Sequence, residues 1–289
     1  MATNTFTNPD AETSAILATF IEHQQPLVVI TGAGCSAGSG IPTYRNSEGV
    51  WQRNNPIQHQ EFVSSPASRQ RYWARSLAGW PAVAAAQPNE THKAIKTLED
   101  LGLCSLVVTQ NVDRLHQQAG QKQVIDLHGR LDRVHCLDCH HELTRAEMQI
   151  QLQAQNGEQF AQPTSIAPDG DADVSDQLIQ QLSVPPCDHC GGVLKPDVVF
   201  YGGSVPKDRV QQVFDAIDQA AGVLVVGSSL MVFSSFRFCR HAARLNKPIA
   251  IVNAGTTRAD DLASLKLNCK GEDVLPNALK QLTNVKTAL

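Results

Sequence analysis

The sequence lacks several features that mark whole classes of protein. Lys and Arg number 24 against 28 Asp and Glu, and the net charge of -4 gives no general attraction to nucleic acid or to an anionic membrane. No apolar run approaches the roughly 20 residues of a membrane-spanning helix. No Arg precedes Arg45, and the first residues lack the basic and apolar regions of a secretion signal. We therefore expect a cytoplasmic protein with no nucleic-acid or membrane partner.

Composition and periodicity instead predict an α/β protein. The 289 residues are 42% hydrophobic, which is enough for one large domain or for a large and a small one. Short β-branched runs predict buried parallel strands at residues 27–31, 105–109, 124–127, 223–227 and 248–253. Helical patterns between them, such as 89–101 and 207–220, predict a Rossmann-like, doubly wound parallel sheet. Ligands of such sheets bind at the carboxyl ends of the strands.

Four of the eight cysteines form two closely spaced pairs. Cys136 and Cys139 make one pair, and Cys187 and Cys190 make the other. Two thiolates at this spacing can occupy adjacent corners of a tetrahedron, so the two pairs predict one zinc ion with four sulfur ligands. Four filled corners leave no position for substrate or water, so we expect the zinc to be structural. Redox pairs or unrelated cysteines are the alternatives.

A glycine-rich turn follows the first predicted strand, in the segment VVITGAGCSAGSGIPTYR that begins at Val28. Gly32 and Gly34 would let the backbone approach a pyrophosphate, whose charge backbone N–H groups would meet. The alternative is an ordinary tight turn. The unit breaks at Pro42, and no second strand with a ribose-binding acid follows Arg45, which argues against a dehydrogenase.

Three further strand ends carry polar or small residues. Gln110, Asn111 and Asp113 follow the second predicted strand and could bind ribose hydroxyls or a carboxamide. Asn111 could equally be the N-cap of a helix with Asp113 in its first turn. Residues 227–229 and 253–255 follow two later strands. Each end alone is as consistent with a turn as with a ligand contact, but four such ends on one sheet favour a dinucleotide site.

His128 lies at another strand end and precedes Gly129. A lone histidine is commonly structural, but one beside a nucleotide site can act as a general base near neutral pH. No second histidine, serine or acid forms a recognisable triad around it in the sequence.

These motifs together resemble the sirtuins, a family of NAD-dependent protein-lysine deacylases. The matching segments are GAGCSAGSGIPTYR (32–45), TQNVDRLHQQAG (109–120), LHG (127–129), LKPDVVFYGG (194–203), GSSLMV (227–232) and VNAG (252–255), with the two cysteine pairs. They occur in the family's order and extend over about residues 25–280. The segment 69–81 is similar to the class II branch of the family.

The resemblance implies that the chain is divided into three structural parts. A Rossmann-like NAD-binding domain would comprise residues 1–44, 91–129 and 196–289, a cofactor loop with a helical insertion residues 45–90, and a zinc domain residues 130–195. Acylated lysine side chains of proteins would be the substrates. The acyl oxygen would attack the ribose carbon that carries nicotinamide, and the acyl group would then pass to ADP-ribose.

The resemblance also implies roles for individual residues. His128 would be the general base, and Asn111 and Asp113 would orient the ribose and the carboxamide. Contacts with NAD are implied for Gly32, Ala33, Gly34, Cys35, Ser36, Gly40, Ile41, Pro42, Tyr44, Arg45, Trp51, Gln110, Asn111, Val112, Asp113, Gly227, Ser228, Ser229, Asn253, Ala254, Gly255 and Gly271.

Two features bear on the preferred acyl group. Thr43 stands where the family commonly has Asp, which leaves the turnover rate open. Tyr72 and Arg75 are similar to the pair with which some sirtuins bind acidic acyl groups, so we hypothesise a carboxylate-bearing acyl substrate. The alternative is an amphipathic helix on which both residues serve packing and solubility.

Two other functions stay open at this point. The same NAD site could transfer ADP-ribose to a protein, or the chain could be a non-catalytic zinc module that binds nucleotide. The ribose-type polar strand ends beside His128 argue against a pure binding module.

Overall fold

The computed structural model describes residues 11–43, 56–157 and 170–287, with side chains described as far as Thr283. Its helices are α1 (Ala11–His23), α2 (Ala33–Ser36), α3 (His59–Ser64), α4 (Pro66–Ala85), α5 (Glu90–Asp100), α6 (Leu115–Gln118), α7 (Arg145–Asn156), α8 (Asp176–Gln181), α9 (Lys207–Gln219), α10 (Phe233–Arg244) and α11 (Gly271–Thr287). Its strands are β1 (Leu27–Thr31), β2 (Cys104–Thr109), β3 (Val124–Asp126), β4 (Gly129–Cys136), β5 (Glu142–Thr144), β6 (Leu194–Val198), β7 (Gly222–Val226), β8 (Ile249–Val252) and β9 (Leu265–Leu267). Within these described ranges no helix is long and apolar enough to cross a bilayer.

The larger sheet is parallel and has the strand order β3-β2-β1-β7-β8-β9. Every residue of β1 is buried, as a central strand covered on both faces requires. Thr31 at the end of β1 is level with Thr109 of β2 and Val226 of β7, so the carboxyl ends of these strands coincide. The predicted α/β fold is confirmed, and each of the five predicted strands matches an observed one within one residue at either end. The chain order changes direction between β1 and β7, which is where such sheets bind ligands.

Helices cover both faces of this sheet because alternate strand residues point to opposite sides. On one face Val29 packs with Leu17 of α1 and Ile95 of α5 in a single buried cluster. On the other face Ile30 packs in a cluster with Phe238 of α10 and with α9. The result is a three-layer α/β domain that fixes the positions of the strand ends.

Local sequence sets several of the helix boundaries. The Asn89 side chain accepts hydrogen bonds from the backbone N–H of Thr91 at 2.9 Å and begins α5. The Ser65 side chain caps α4, whose first residue is Pro66, a residue that needs no N–H partner at that position. Side-chain caps therefore fix where these helices begin relative to the strands.

A second sheet, with the antiparallel order β5-β4-β6, follows His128 in the chain. Phe62 of α3 and Trp73 of α4 share a buried cluster with Val134 of β4 and Met148 of α7. The helical insertion and the cysteine-bearing segment thus share one hydrophobic core. Residues 196–198 belong to β6 and hence to this sheet, beyond the predicted end of the zinc domain at residue 195. The domain boundaries stay a prediction.

Candidate active site

A cavity of about 770 Å³ opens where the carboxyl ends of β1, β2, β7 and β8 meet. This volume is in the range of cofactor and small-molecule sites. The cavity is lined by the glycine turn after β1, residues 110–113 after β2, residues 227–229 after β7, residues 253–254 after β8 and also residues 198–203. The four polar strand ends singled out in the sequence therefore lie around one space.

The glycine turn packs directly against the end of β7. The N–H of Gly34 donates to the carbonyl of Gly227 at 2.8 Å, and a Cβ on Gly34 would lie 2.9 Å from the same oxygen. Gly227 has a φ of +61°, and a Cβ there would lie 2.3 Å from the nitrogen of Cys35. The close approach of two loops thus requires both glycines. Because the N–H of Gly34 is used within the protein, other groups of the turn would have to meet a pyrophosphate.

A chain of buried polar groups crosses the floor of the cavity. The Ser36 hydroxyl donates to Asp113 Oδ2 at 2.7 Å and accepts from Asn111 Nδ2 at 2.9 Å. Burial raises the pKa of Asp113, while hydrogen bonds from the Leu115 N–H and from Ser36 oppose that shift. The N-cap alternative for Asn111 is wrong, because α6 begins only at Leu115 and it is Asp113 that accepts from the first N–H of that helix.

His128 lies between β3 and β4 with both ring nitrogens engaged. Nδ1 lies 3.1 Å from the carbonyl oxygen of Gln110, which can only accept, so Nδ1 carries the proton. Nε2 is then the acceptor, and the hydroxyl of Ser234 donates to it at 2.7 Å. Burial lowers the pKa of His128 to about 4; the bond to Gln110 opposes this, and the charges of Arg209 and Arg237 add to it. The ring is therefore neutral near pH 7, and its basic nitrogen is Nε2.

Behind the glycine turn lies a trio of buried side chains, Cys35, His92 and His116, whose ligating atoms are all within 4.8 Å of one another. Burial lowers the pKa of His92 to about 3 and that of His116 to about 4, and it raises the pKa of the Cys35 thiol. Both ring nitrogens of His116 have partners, the hydroxyl of Thr31 at 2.9 Å and the amide oxygen of Gln121 at 3.1 Å. The trio is thus a neutral polar network that supports the turn from below.

The four paired cysteines converge at the far end of β4. The sulfur atoms of Cys136 and Cys190 are 3.5 Å apart, those of Cys139 and Cys187 are 3.7 Å apart, and all four lie within 4.8 Å of one another. A tetrahedron with Zn–S bonds of about 2.3 Å has sulfur–sulfur edges of about 3.8 Å. The sulfur positions therefore fit a zinc ion, and the predicted convergence of the two pairs is confirmed.

Comparison with known proteins decides the family. The model of the Sir2 family matches residues 32–234. The chain belongs to the Sir2 family. It is 53% identical over 251 residues to the NAD-dependent protein deacetylase of Xanthomonas axonopodis pv. citri, covering 87% of this chain and 86% of that protein.

Two further Sir2 relatives cover most of the chain. The NAD-dependent protein lipoamidase sirtuin-4, mitochondrial, of Homo sapiens is 47% identical over 270 residues, which are 92% of this chain and 86% of that protein. A solved Sir2 structure with a deacetylated p53 peptide and 3′-O-acetyl ADP ribose superimposes with a TM-score of 0.75 at 29% identity. That match covers 92% of this chain and 97% of the solved one.

Most residues for which the Sir2 resemblance implies NAD contacts lie around the cavity. Those that line it are Gly32, Ala33, Gly34, Ser36, Ile41, Gln110, Asn111, Val112, Asp113, Gly227, Ser228, Ser229, Asn253, Ala254 and Gly271, with His128. Four others are not in its wall: Cys35, Gly40, Pro42 and Gly255. The remaining three, Tyr44, Arg45 and Trp51, lie outside the described residues. The NAD contacts themselves stay predictions.

The residues predicted to bind the acyl group lie outside the cavity wall. The Tyr72 ring packs edge-on against Phe62 and lies 5.2 Å from Phe200, which does line the cavity. The Arg75 guanidinium is paired, with its Nε 2.7 Å from an oxygen of Asp171 and its Nη2 3.6 Å from Asp173. Both carboxylates that pair with Arg75 thus belong to side chains of the same Sir2 chain.

Two polar residues of α10 that line the cavity, Ser234 and Arg237, were not predicted from the sequence. Neither belongs to a motif with a chemical signature, and both are more than a hundred positions from His128. The only signal was their place directly after the segment GSSLMV, whose end forms part of the same wall.

Proposed function

We propose that the chain is an NAD-dependent protein-lysine deacylase, which releases nicotinamide and transfers the acyl group to ADP-ribose. The proposal rests on one observation above all: a neutral histidine, His128, with a basic Nε2 on the wall of a cavity bounded by four polar strand ends. The names of the relatives as NAD-dependent deacetylases support it independently. NAD, when bound, would supply the ribose carbon that receives the acyl oxygen.

Asn111, Ser36 and Asp113 would hold the nicotinamide ribose and carboxamide. Their mutual hydrogen bonds fix each side chain before a ligand arrives, so little entropy would be lost on binding. The buried Asp113 accepts from both Ser36 and Leu115, which places its carboxylate rigidly at the base of the cavity. These groups would thus orient the cofactor rather than exchange protons with it.

His128 would accept a proton from a ribose hydroxyl at Nε2. The Ser234 hydroxyl occupies that lone pair at 2.7 Å, so the substrate hydroxyl must either displace it or donate through it. Gln110 fixes the tautomer from the other side of the ring. The general-base role of His128 therefore depends on the partners of both nitrogens.

One zinc ion would be held by the four cysteines with a purely structural role. All four positions would be occupied by sulfur, and the site is at the opposite end of β4 from His128. Its contribution would be to join the two cysteine-bearing turns and so stabilise the fold of the small sheet.

The hypothesis of an acidic acyl group bound by Tyr72 and Arg75 stays a prediction. For it to hold, an acyl carboxylate would have to replace Asp171 or Asp173 at the Arg75 guanidinium. The comparison of kcat/KM on acetyl-, glutaryl-, lipoyl- and myristoyl-lysine peptides, for the wild type and Arg75→Ala, tests it. Unchanged activity of Arg75→Ala on the glutaryl peptide would exclude it.

The proposed reaction is tested by mass spectrometry of NAD incubated with an acyl-lysine peptide. We expect nicotinamide and O-acyl-ADP-ribose from the wild type, and a fall of at least about a hundredfold in His128→Ala. The exposed His23 on α1 provides the matched control, His23→Ala, which should keep full activity. ADP-ribose on the protein without deacylation would indicate a transferase instead, and no consumption of NAD would indicate a binding module.

A further inference from the structure

One guanidinium in the cavity wall has no acidic partner in the part of the chain that the structure describes. Arg237 of α10 lines the cavity together with His128 and Ser234. Within the described ranges, no Asp or Glu oxygen lies within 4.0 Å of it, and its Nε is buried without a hydrogen-bond acceptor. Because Nε has no accessible surface, a ligand in the cavity would have to pair with the terminal amino groups of this guanidinium.

Aromatic contacts hold this guanidinium in place. Arg237 Cζ lies 5.5 Å from the centre of the Phe233 ring, and Phe233 is also within 5.9 Å of Arg258. Such contacts use the flat face of a guanidinium and leave the N–H groups on its edge free. Arg237 is therefore oriented by its own helix while its donors remain available.

Lys270, which also lines the cavity, has its ammonium 3.5 Å from Glu272 Oε1, and other cations close by are paired or bonded to backbone carbonyls. Arg75 pairs with Asp171 and Asp173. The ammonium of Lys195 donates to the carbonyl oxygen of Pro196 at 2.9 Å, and Arg209 Nη1 donates to that of Leu127 at 3.3 Å. Arg237 is the cavity-lining arginine, among those described, whose charge is not met by the protein.

We propose that Arg237 forms a carboxylate-binding subsite beside His128, which is occupied by a negatively charged group of the acylated peptide. The carboxylate would come from the end of the acyl chain or from an acidic side chain next to the acyl-lysine. A guanidinium offers two parallel N–H groups to a carboxylate, and this geometry suits a residue held on a rigid helix. The inference rests on the proposed deacylase function and adds the charge of its substrate.

The position of the subsite favours a peptide group over NAD. Most residues with implied NAD contacts lie at the ends of β1, β2, β7 and β8, whereas Arg237 lies on α10 beside the Phe233 ring. The apolar Val205 and Val232 also line the cavity. A carboxylate bound there would also offset the positive charge that Arg237 places near His128, so substrate binding would make the histidine a better base.

Four peptides separate the two sources of the carboxylate. They carry acetyl- or glutaryl-lysine, each with either Gln or Glu next to the lysine. kcat/KM is measured with NAD for the full-length wild type, Arg237→Gln, Arg237→Lys and Arg75→Gln. Arg244→Gln is the matched control, because Arg244 is an exposed arginine on the same helix.

We expect the wild-type kcat/KM to be about tenfold higher either for glutaryl-lysine than for acetyl-lysine or for the Glu peptides than for the Gln peptides. Tenfold corresponds to the free energy of one charge-assisted hydrogen bond. Arg237→Gln should remove that preference, Arg237→Lys should keep part of it, and Arg244→Gln should keep all of it. Preference for glutaryl-lysine would identify the acyl chain, and preference for the Glu peptides would identify the flanking residue. Binding of the same labelled peptides without NAD, measured by fluorescence anisotropy, should show the same order.

Two results would overturn the inference while leaving the deacylase function intact. One is deacylation at equal rates on all four peptides. The other is a preference that survives in folded Arg237→Gln, as judged by an unchanged thermal transition, and is lost in Arg75→Gln. If no peptide is deacylated and none binds, the proposed function and the subsite fail together.

Discussion

The buried histidines beneath the glycine turn predict a specific loss of stability in acid. In the folded protein the pKa of His92 is about 3 and that of His116 is about 4, because burial disfavours the charged rings. In the unfolded chain both return to about 6.5. Their folded pKa values are depressed, so the stabilisation is present above pH 6.5 and is lost as pH falls toward 4.

The size of this effect follows from the number of protons taken up on unfolding. One proton changes the free energy of unfolding by about 1.4 kcal/mol per pH unit. Between pH 7.5 and 5.5 each histidine should therefore contribute a loss of about 1.3 kcal/mol. The raised pKa of Asp113 acts in the opposite direction, so the slope of the wild type alone does not isolate the histidines.

The test compares how steeply the free energy of unfolding changes with pH in the wild type and in variants. Urea unfolding at constant ionic strength from pH 5 to 7.5 gives the free energy of unfolding for the wild type and for His92→Gln. The variant should be less stable near pH 7 but should lose about 1 kcal/mol less per pH unit below pH 6. His23→Gln, at an exposed position, should retain the wild-type slope. Parallel curves for the wild type and His92→Gln would show that this ring is not buried in its neutral form.

Three further predictions concern the turn, the cysteines and the base. Gly34→Ala should lower the free energy of unfolding by about 1–3 kcal/mol, since its Cβ would meet the Gly227 backbone; an unchanged Tm would contradict the close approach. Cys187→Ser should abolish stoichiometric zinc in metal analysis and destabilise the small sheet, and retention of one zinc per chain would refute the four-sulfur site. Ser234→Ala should lower kcat by about fivefold with little change in KM for NAD, because the His128 ring loses one of the two hydrogen bonds that orient it; Ser234→Thr should restore part of the rate, and wild-type kinetics in Ser234→Ala would exclude a positioning role.

The strands and the convergence of their ends could be predicted because they depend on short-range patterns. A run such as Leu27–Thr31 is apolar at every position, which few structures other than a central parallel strand accommodate. The cysteine spacing likewise carries its own geometry. The polar strand ends were then brought together by a general property of parallel sheets rather than by any detail of their side chains.

The features that escaped prediction depend on contacts between distant segments. Ser234 reaches His128 only because α10 packs beside β7, and nothing in its neighbourhood in the sequence indicates that partner. Arg75 and Arg237 look alike in sequence, yet among the described residues Arg75 meets two carboxylates and Arg237 meets none. Local polarity of a residue does not say which charges the tertiary structure will place around it.

The junction between the two sheets has a mechanical consequence. The chain crosses between them at His128–Gly129 and again at Val198–Val199, and the crossings are joined because the N–H of Val199 donates to the carbonyl of His128 at 2.8 Å. Cys136 lies at the other end of β4, roughly 20 Å away along an extended strand. A rotation of roughly 5° about the paired crossings would carry Cys136 through about 2 Å and would leave the histidine almost stationary. His128, the proposed proton acceptor, thus lies on the axis of such a motion, which would change the width of the cleft without moving it.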